Sequence, residues 1–419
     1  MSGQVDAATA RRLPWLALIS AFLSWMFDAM DLQLFTMILF PSVSELLASH
    51  DIGAIAGTGG LIVAIKLFAW GIGGVVFGVV ADRLGRARTM GLTVLIYSVF
   101  TGLSALSQTW WQLAILQALA GIGIGGEWSA GAALVAETWP EKSRARAMQV
   151  MQLAFAFGFF AAASLNLVIG PFGWRWVLVA GTCPALVTIF IRLFVAEPER
   201  WVKVRHARHR DETAWRTFTA IFQPAYRRVT IVGVLISLTM MVGSWGTSTL
   251  LPTWIHQMLG ASSARAVLVT SQSFMIVNAG ALAGYLTLIW MTNALGRRVS
   301  YFLFCAGAGL TNLVMFGFVH DLSVFMPVML VYGFFAIGGF GTFAAYLPEL
   351  FPTRFRATGQ GFCWNMARIV TGAGPLTSGL LVGAFGSIPR AGMVVAWIYV
   401  VGLVAIWFGP ETKGRSLAD

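Results

Sequence analysis

Twelve apolar runs, each about the length that crosses a bilayer, leave this chain few folds to adopt. They fall near residues 14–39, 57–80, 90–107, 111–136, 148–170, 176–196, 229–252, 266–291, 299–319, 324–347, 358–384 and 392–409, bounded by Gly, Pro and charged residues. A spanning helix needs about 20 apolar residues, so twelve of them claim more than half of the 419. Only 11% of residues are charged, against about 25% in soluble domains. That balance excludes a soluble enzyme and a nucleic-acid-binding protein. The first run carries Asp28 and Asp31 and has no small-residue cleavage site, so it reads as a retained helix rather than a signal peptide.

The net charge of +11 follows the loops. With the N-terminus inside, the inward-facing segments hold 22 of the 28 basic residues, and the outward loops hold Arg175, Arg265 and Arg390. The positive-inside rule therefore places both termini in the cytoplasm, and the protein as a multi-pass chain of the cell membrane, most simply a bacterial inner membrane. The longest loop, 197–228, contains KVRHARHRDETAWR and reads as a basic linker against anionic headgroups. It divides the chain into a six-helix unit over 1–196 and another over 229–419 with a short tail.

The two units repeat one another. Glu137, Pro140 and Arg144 recur 212 positions later as Glu349, Pro352 and Arg356, and Pro198-Glu199 recurs as Pro410-Glu411. Gly121 matches Gly333 at the same offset, and Gly85-Arg86 matches Gly296-Arg297 at 211. Six helices is an even number, so the halves share one orientation about an axis along the membrane normal. The expected fold is an all-α integral membrane protein of twelve transmembrane helices, two parallel six-helix repeats around a central cavity.

The stretch GGVVFGVVADRLGRART places Gly73, Gly74 and Gly78 at helical spacing, open to a close neighbouring helix, and then Asp82, Arg83 and Arg86 at the membrane surface. With Glu137, Arg144, Glu349 and Arg356 from the repeated loops, these residues form a candidate gating latch. At this point the chain resembles the major facilitator superfamily over essentially its whole length. The motifs are GVVADRLGRART, AETWPEKSR, EPERW, LPELFPTRFRATG and GPETKGRS. GIGIGGEW resembles the branches that carry organic acids such as sialate and lactate. Sugar porters carry an arginine where this chain has Gln117, and paired glutamines where LISLTMMVGSWGTSTLLP has none. The resemblance implies alternating access, a substrate cavity lined by the first, fourth, seventh and tenth helices, and a monomer.

Charges at membrane depth imply function or a required partner. From the helix rise, Asp28, Asp31 and Lys66 share a level about 21–26 Å above the inner edge, and Glu127 and Arg368 share one near 15 Å. Arg192 is close enough to the edge to snorkel. Asp28, Asp31, Glu127 and Lys66 are the candidates for proton coupling, the alternative being a self-neutralising structural cluster. Arg368, with a fixed charge and a two-bond fork, is the candidate anion ligand, the alternative being a pairing with Glu127. Asn365, Trp25, Trp245, Tyr332 and Gln272 are candidate partners around a substrate.

The sequence contains no GxxxxGK[ST] and no HExxH, and its three cysteines sit in apolar runs, so neither an enzyme nor a metal or cofactor is expected. The expected function is a secondary active symporter taking up a small organic anion, a monocarboxylate, with protons. The alternative is a symporter or uniporter of a neutral or cationic metabolite such as a sugar or an amine.

Overall fold

The computed structural model describes residues 7–207, 213–259, 264–319, 321–374 and 382–418. Among these residues there is no strand. Backbone groups in hydrocarbon must satisfy one another, and a helix does so within one segment. In the first half, α1 (Ala7–Leu47), α2 (Ile52–Leu84), α3 (Arg86–Ser104), α4 (Trp110–Thr138) and α5 (Arg144–Ile169) are followed by α6 (Trp174–Ala180) and α7 (Ala185–Phe194). The last two are pieces of one span, divided by turns before Pro184. The connection holds α8 (Glu199–Ala207) and α9 (Ala214–Thr219). The second half holds α10 (Arg227–Leu259), α11 (Ala264–Leu295), α12 (Arg297–Phe318), α13 (Leu322–Tyr332), α14 (Gly341–Glu349) and α15 (Arg356–Gly372), and closes with Ile388–Ala396 and Ile398–Ala405.

Among the described residues, nine helical segments are long and apolar enough to cross a membrane. The remaining three spans are α3, α6–α7 and α15. α3 and α15 fall short because they bury polar side chains: Thr89, Thr93, Ser98 and Thr101 on one, Thr358, Gln360, Asn365 and Arg368 on the other. A helix that faces protein does not need a lipid-compatible surface all round. The result is an all-α membrane fold of twelve spans in two parallel six-helix halves, with α2 against α15 and α5 against α11 and α14 at the seam between them.

Two local features go beyond the expectation. The run 324–347 forms one span, Leu322–Glu349. Inside it the α-helix gives way to a π-turn, Gly333–Ile337, and a 3₁₀ turn, Gly338–Phe340, between α13 and α14. Glycines bring these turns into direct backbone contact with α11, at Val277 and Gly284. The segment 197–228 is more than a solvated linker. Trp201 of α8 is buried and its indole N–H donates to the Asp82 carbonyl at 2.9 Å, which ties the connection to the first half. The side chains of Arg192 and Arg265 lie outside the described residues, as do those of Arg11 and Arg12.

The repeat is also visible in the backbone. Gly85 (φ 122°) and Gly296 (φ 89°) stand at equivalent turns between consecutive helices, in a region other residues rarely enter. At each turn a carboxylate takes the N–H groups that open the next helix. Glu197 accepts from Arg86, Ala87 and Arg88 at 2.6–3.3 Å. Glu411 accepts from Arg297 and Arg298 at 3.0 and 3.1 Å. Sequence alignment of the repeat pairs Glu199 with Glu411, but the capping role in the first half belongs to Glu197. The carboxylate must reach the start of α3, and α8 begins at Glu199.

Candidate functional site

The basic end of the bundle carries the latch. Arg86 grips Glu137 with two bonds, Nε to Oε2 at 3.1 Å and Nη2 to Oε1 at 2.9 Å, and pairs with Asp82 at 3.0 Å. The same construction recurs in the second half, where Arg297 grips Glu349 at 3.0 and 2.8 Å. In the first half the network also crosses the seam. Asp82 accepts from the Thr358 N–H at 2.7 Å, the Thr358 hydroxyl at 2.6 Å and the Ala357 N–H at 3.2 Å, so it caps the N-terminus of α15. Arg356 donates to Glu137 at 2.7 Å, and Arg86 to the Thr353 carbonyl at 2.7 Å. Asp82, Arg86, Glu137 and Arg356 are all buried. The tail closes over this site: the Ala418 carbonyl accepts from Arg356 at 2.8 Å and from the Thr353 N–H at 3.1 Å.

Not every expected latch residue joins it. Arg83 is half-buried beside the network, and its Nη1 has no hydrogen-bond partner among the described residues. Arg144 contacts Glu141 at 3.5 Å rather than Glu349, which Arg297 already holds. The position equivalent to Asp82 is Asn293, whose amide turns back onto the Ile289 carbonyl of its own helix. Among the described residues, the carboxylate hydrogen bonds that cross the seam, at Asp82 and Glu137, both reach α15, while on the other side Arg144 feels the charge of Glu349 without a direct bond.

The buried charges higher in the bundle are divided differently from the expectation. Asp28, Asp31 and Lys66 do not form one cluster. Asp31 takes Lys66 at 2.7 Å and the Thr101 hydroxyl at 2.6 Å, and the Lys66 ammonium also lies 4.7 Å from the centre of the Phe35 ring. That trio is satisfied within itself. Asp28, one turn earlier, faces Glu127 within hydrogen-bond reach and feels the charge of Arg368. Residues three apart are rotated about 60° round a helix, enough to send the two carboxylates to different neighbours. Both oxygens of Asp28 and both of Glu127 have no donor among the described residues.

Arg368 reaches this pair from α15. Its guanidinium carbon stands 3.7 Å over the centre of the Trp70 ring and 5.9 Å from Trp364. Its Nε has no hydrogen-bond partner, and it makes no ion pair among the described residues. The expected alternative, a direct pairing with Glu127, is not formed. Trp364 stacks on Trp128 at 4.6 Å, and Trp128 lies 6.4 Å from Trp25. The indole N–H groups of Trp25 and Trp364 and the Asn365 side-chain oxygen are also buried without partners. The buried cluster thus joins both halves: one cation, two carboxyls and a wall of indoles. Three expected members lie elsewhere: the Tyr332 hydroxyl donates to the Ser244 carbonyl at 2.8 Å, Trp245 is half-buried on α10, and Gln272 is exposed on α11.

The sequence pattern described as the Major Facilitator Superfamily matches residues 16–373, most of this chain. The chain belongs to the Major Facilitator Superfamily. A protein of Haemophilus influenzae named for metabolite transport is 32% identical over 409 residues, 96% of this chain and 98% of its own. The cis,cis-muconate transport protein of Acinetobacter baylyi is 28% identical over 405 residues, 95% of each chain. The solved structure of the proton:xylose symporter XylE, bound to 6-bromo-6-deoxy-D-glucose, superposes with a TM-score of 0.81 at 20% identity, covering 97% of this chain and 98% of that one. As a member of the superfamily, this chain is a multi-pass membrane transporter and not an enzyme.

Within this facilitator fold, sequence reasoning missed Arg297, Glu197, Trp70 and Trp128, while Trp364 was within its reach as a pocket aromatic. The first could have been read from the repeat, because Gly296-Arg297 already matched Gly85-Arg86. The indoles of Trp70 and Trp128 could not, since tryptophan in an apolar run is as consistent with a lipid interface as with a buried wall.

Proposed function

We propose that this transporter is a symporter taking up a small organic anion, a monocarboxylate, together with a proton by alternating access. The observation that carries the reading is Arg368, a buried cation without an ion pair among the described residues, beside the carboxyls of Asp28 and Glu127, which face each other and have no other donor among the described residues. A planar guanidinium bonds a carboxylate with two parallel N–H donors and keeps its charge when the site opens. Asn365 lies one turn before Arg368 and Trp25 one turn before Asp28, and each keeps a buried polar atom without a partner among the described residues.

Charge balance supplies the coupling. Buried net charge is costly. One proton shared between Asp28 and Glu127 leaves this cluster neutral against Arg368. An entering anion restores the deficit unless a second proton arrives, so neutrality is kept when one anion moves with one proton. Glu127 and Asp28 take the coupling role, while Asp31 and Lys66 hold the fold. The relative named for cis,cis-muconate supports an acid substrate. The basic loops support a cytoplasmic latch, with both termini on that side of a bacterial inner membrane, and a division into units over 1–196 and 229–419 joined by 197–228.

The test is uptake and binding in proteoliposomes with lactate, benzoate, nicotinate and cis,cis-muconate, each beside its amide, with and without an inward proton gradient. Wild type should concentrate at least one acid under the gradient and prefer it strongly to its amide. Arg368→Ala should abolish that preference, and Arg368→Lys should weaken it, since a point charge cannot reproduce the fork. Asp28→Asn should end accumulation but leave exchange. A folded Arg368→Ala that still discriminates acid from amide overturns the reading.

A further inference from the structure

We infer that Trp70 is a positioning residue for the anion site: its indole face, on α2, holds the Arg368 guanidinium of α15 in the orientation that receives a carboxylate. The inference rests on the anion reading of Arg368 and adds a residue from the opposite half of the molecule.

Arginine side chains are long and carry several rotatable bonds, so a buried guanidinium stays in one place only if something fixes it. Ion pairs usually do so, but Arg368 has none among the described residues, and its Nε is unbonded. What touches it is aromatic. The guanidinium carbon is 3.7 Å from the centre of the Trp70 ring, and Trp70 is itself 1% exposed. Stacking of this kind occupies one face of the planar cation and leaves its in-plane N–H donors free to point at an anion. A carboxylate partner would have used those donors. The indole therefore restrains Arg368 without competing for the bonds that a substrate needs.

The close approach is built into α2. A Cβ at Gly74 would collide with the Asn365 amide, and one at Gly71 with Ile369. One at Gly78 would stand 2.7 Å from the Ala357 carbonyl oxygen. These three glycines let α15 lie directly on α2, and the contact brings Arg368 over Trp70. Gly73, between them, faces α4 at Ile122 instead. Trp70 belongs to the first half and Arg368 to the second, so the stack exists only while the two helices are together.

The test compares Trp70→Phe, which keeps an aromatic face, with Trp70→Leu, which does not, and with Arg368→Ala. The probe is whichever acid of the panel above wild type binds best, titrated in detergent beside its amide. Trp70→Leu should weaken acid binding about tenfold, the worth of a desolvated cation–π contact, and leave amide binding nearly unchanged. Trp70→Phe should recover most of the loss. A merely structural role would weaken acid and amide alike and would not separate Phe from Leu. Equal effects of the two variants, or an unchanged acid-over-amide ratio in Trp70→Leu, overturn the inference, and the anion reading stands if Arg368→Ala still abolishes the ratio. Wild type binding none of the acids overturns both. If Trp70→Leu does not fold, Trp70→Met takes its place, and failure of both beside a folded Trp70→Phe would show the face to be structural and overturn the inference.

Discussion

Replacing Asp82 by Asn should open the latched end of the bundle, and the structure sets the size of the effect. The Asp82 carboxylate accepts three hydrogen bonds from α15, two of them at 2.6 and 2.7 Å, and all three cross between the halves. Hydrogen bonds to a charged group contribute about 1.5–3 kcal/mol each in net terms, and a negative charge at a helix N-terminus adds about 0.3–1. The amide keeps one acceptor oxygen, loses the charge and points an NH₂ group at backbone N–H donors. Arg86 remains held by Glu137. The net loss from the closed state is then about 3 kcal/mol, a shift of about 150-fold in the closed-to-open ratio. Spin labels at the exposed Arg88 and Arg415, one on each half, read that ratio as a distance distribution in nanodiscs. The variant should show a long-distance population that wild type lacks. Acid binding should fall far less, by no more than the stack on Trp70 contributes, while net transport slows. A folded variant whose distances match wild type would refute the assignment of Asp82 as the cross-seam latch.

Two further outcomes follow from the same contacts. Asp31→Asn leaves Lys66 buried without its carboxylate and should cost about 3–5 kcal/mol. The double variant Asp31→Leu/Lys66→Met should recover much of that in a thermal melt, and a double variant as unstable as the single would show that the loss does not come from the unpaired Lys66 charge. Burial alone would raise the Glu411 carboxyl, but backbone N–H donors from Arg297, Lys413, Arg298 and Thr412 hold it below the ordinary range. Its contribution to stability is therefore present above the unfolded carboxylate value, about 4.3, and is lost as pH falls through the lower folded value. Glu411→Gln should flatten the acid limb of a stability–pH curve measured below about pH 4, and an unchanged limb would count against the cap.

Hydropathy and the repeat made the twelve spans, the two halves and most of the ion-pair network at the basic end legible, because each depends on periodicity or on loop motifs at a fixed offset. The offset predicts Arg297 from Arg86, but it misplaces the capping carboxylate by two residues, since Glu197 and Glu411 enter their turns from differently shaped connections. The mid-depth site was legible in part. Helix rise places Asp28, Glu127 and Arg368 at membrane depth, yet depth alone grouped Asp28 with Asp31 and Lys66. Which carboxylate meets which cation depends on rotation about α1 and on the neighbours at each angle, and a level on a helix does not contain that. The π-turn within the tenth span was hidden for a similar reason: Gly121 and Gly333 occupy matching places in the repeat, one in a continuous α-helix and the other opening a π-turn.

The latch and the anion site share two helices. α2 carries Asp82 at the basic end and Trp70 twelve residues earlier, about 18 Å higher. α15 carries Thr358 at the same end and Arg368 ten residues later, about 15 Å higher. Between these points the glycines of α2 hold the pair in continuous contact. On the other side of the seam, Asn293 makes no such bond and Arg144 turns to Glu141. Two rigid helices pinned at the end by a carboxylate and at mid-depth by a cation on an indole cannot separate at one point and stay closed at the other. On the reading proposed above, opening the latch would remove the support under Arg368, and an anion that fixed Arg368 would favour the paired helices and hence the closed latch. Coupling between substrate and gate would then need no long-range relay. It would follow from placing both contacts on one pair of helices.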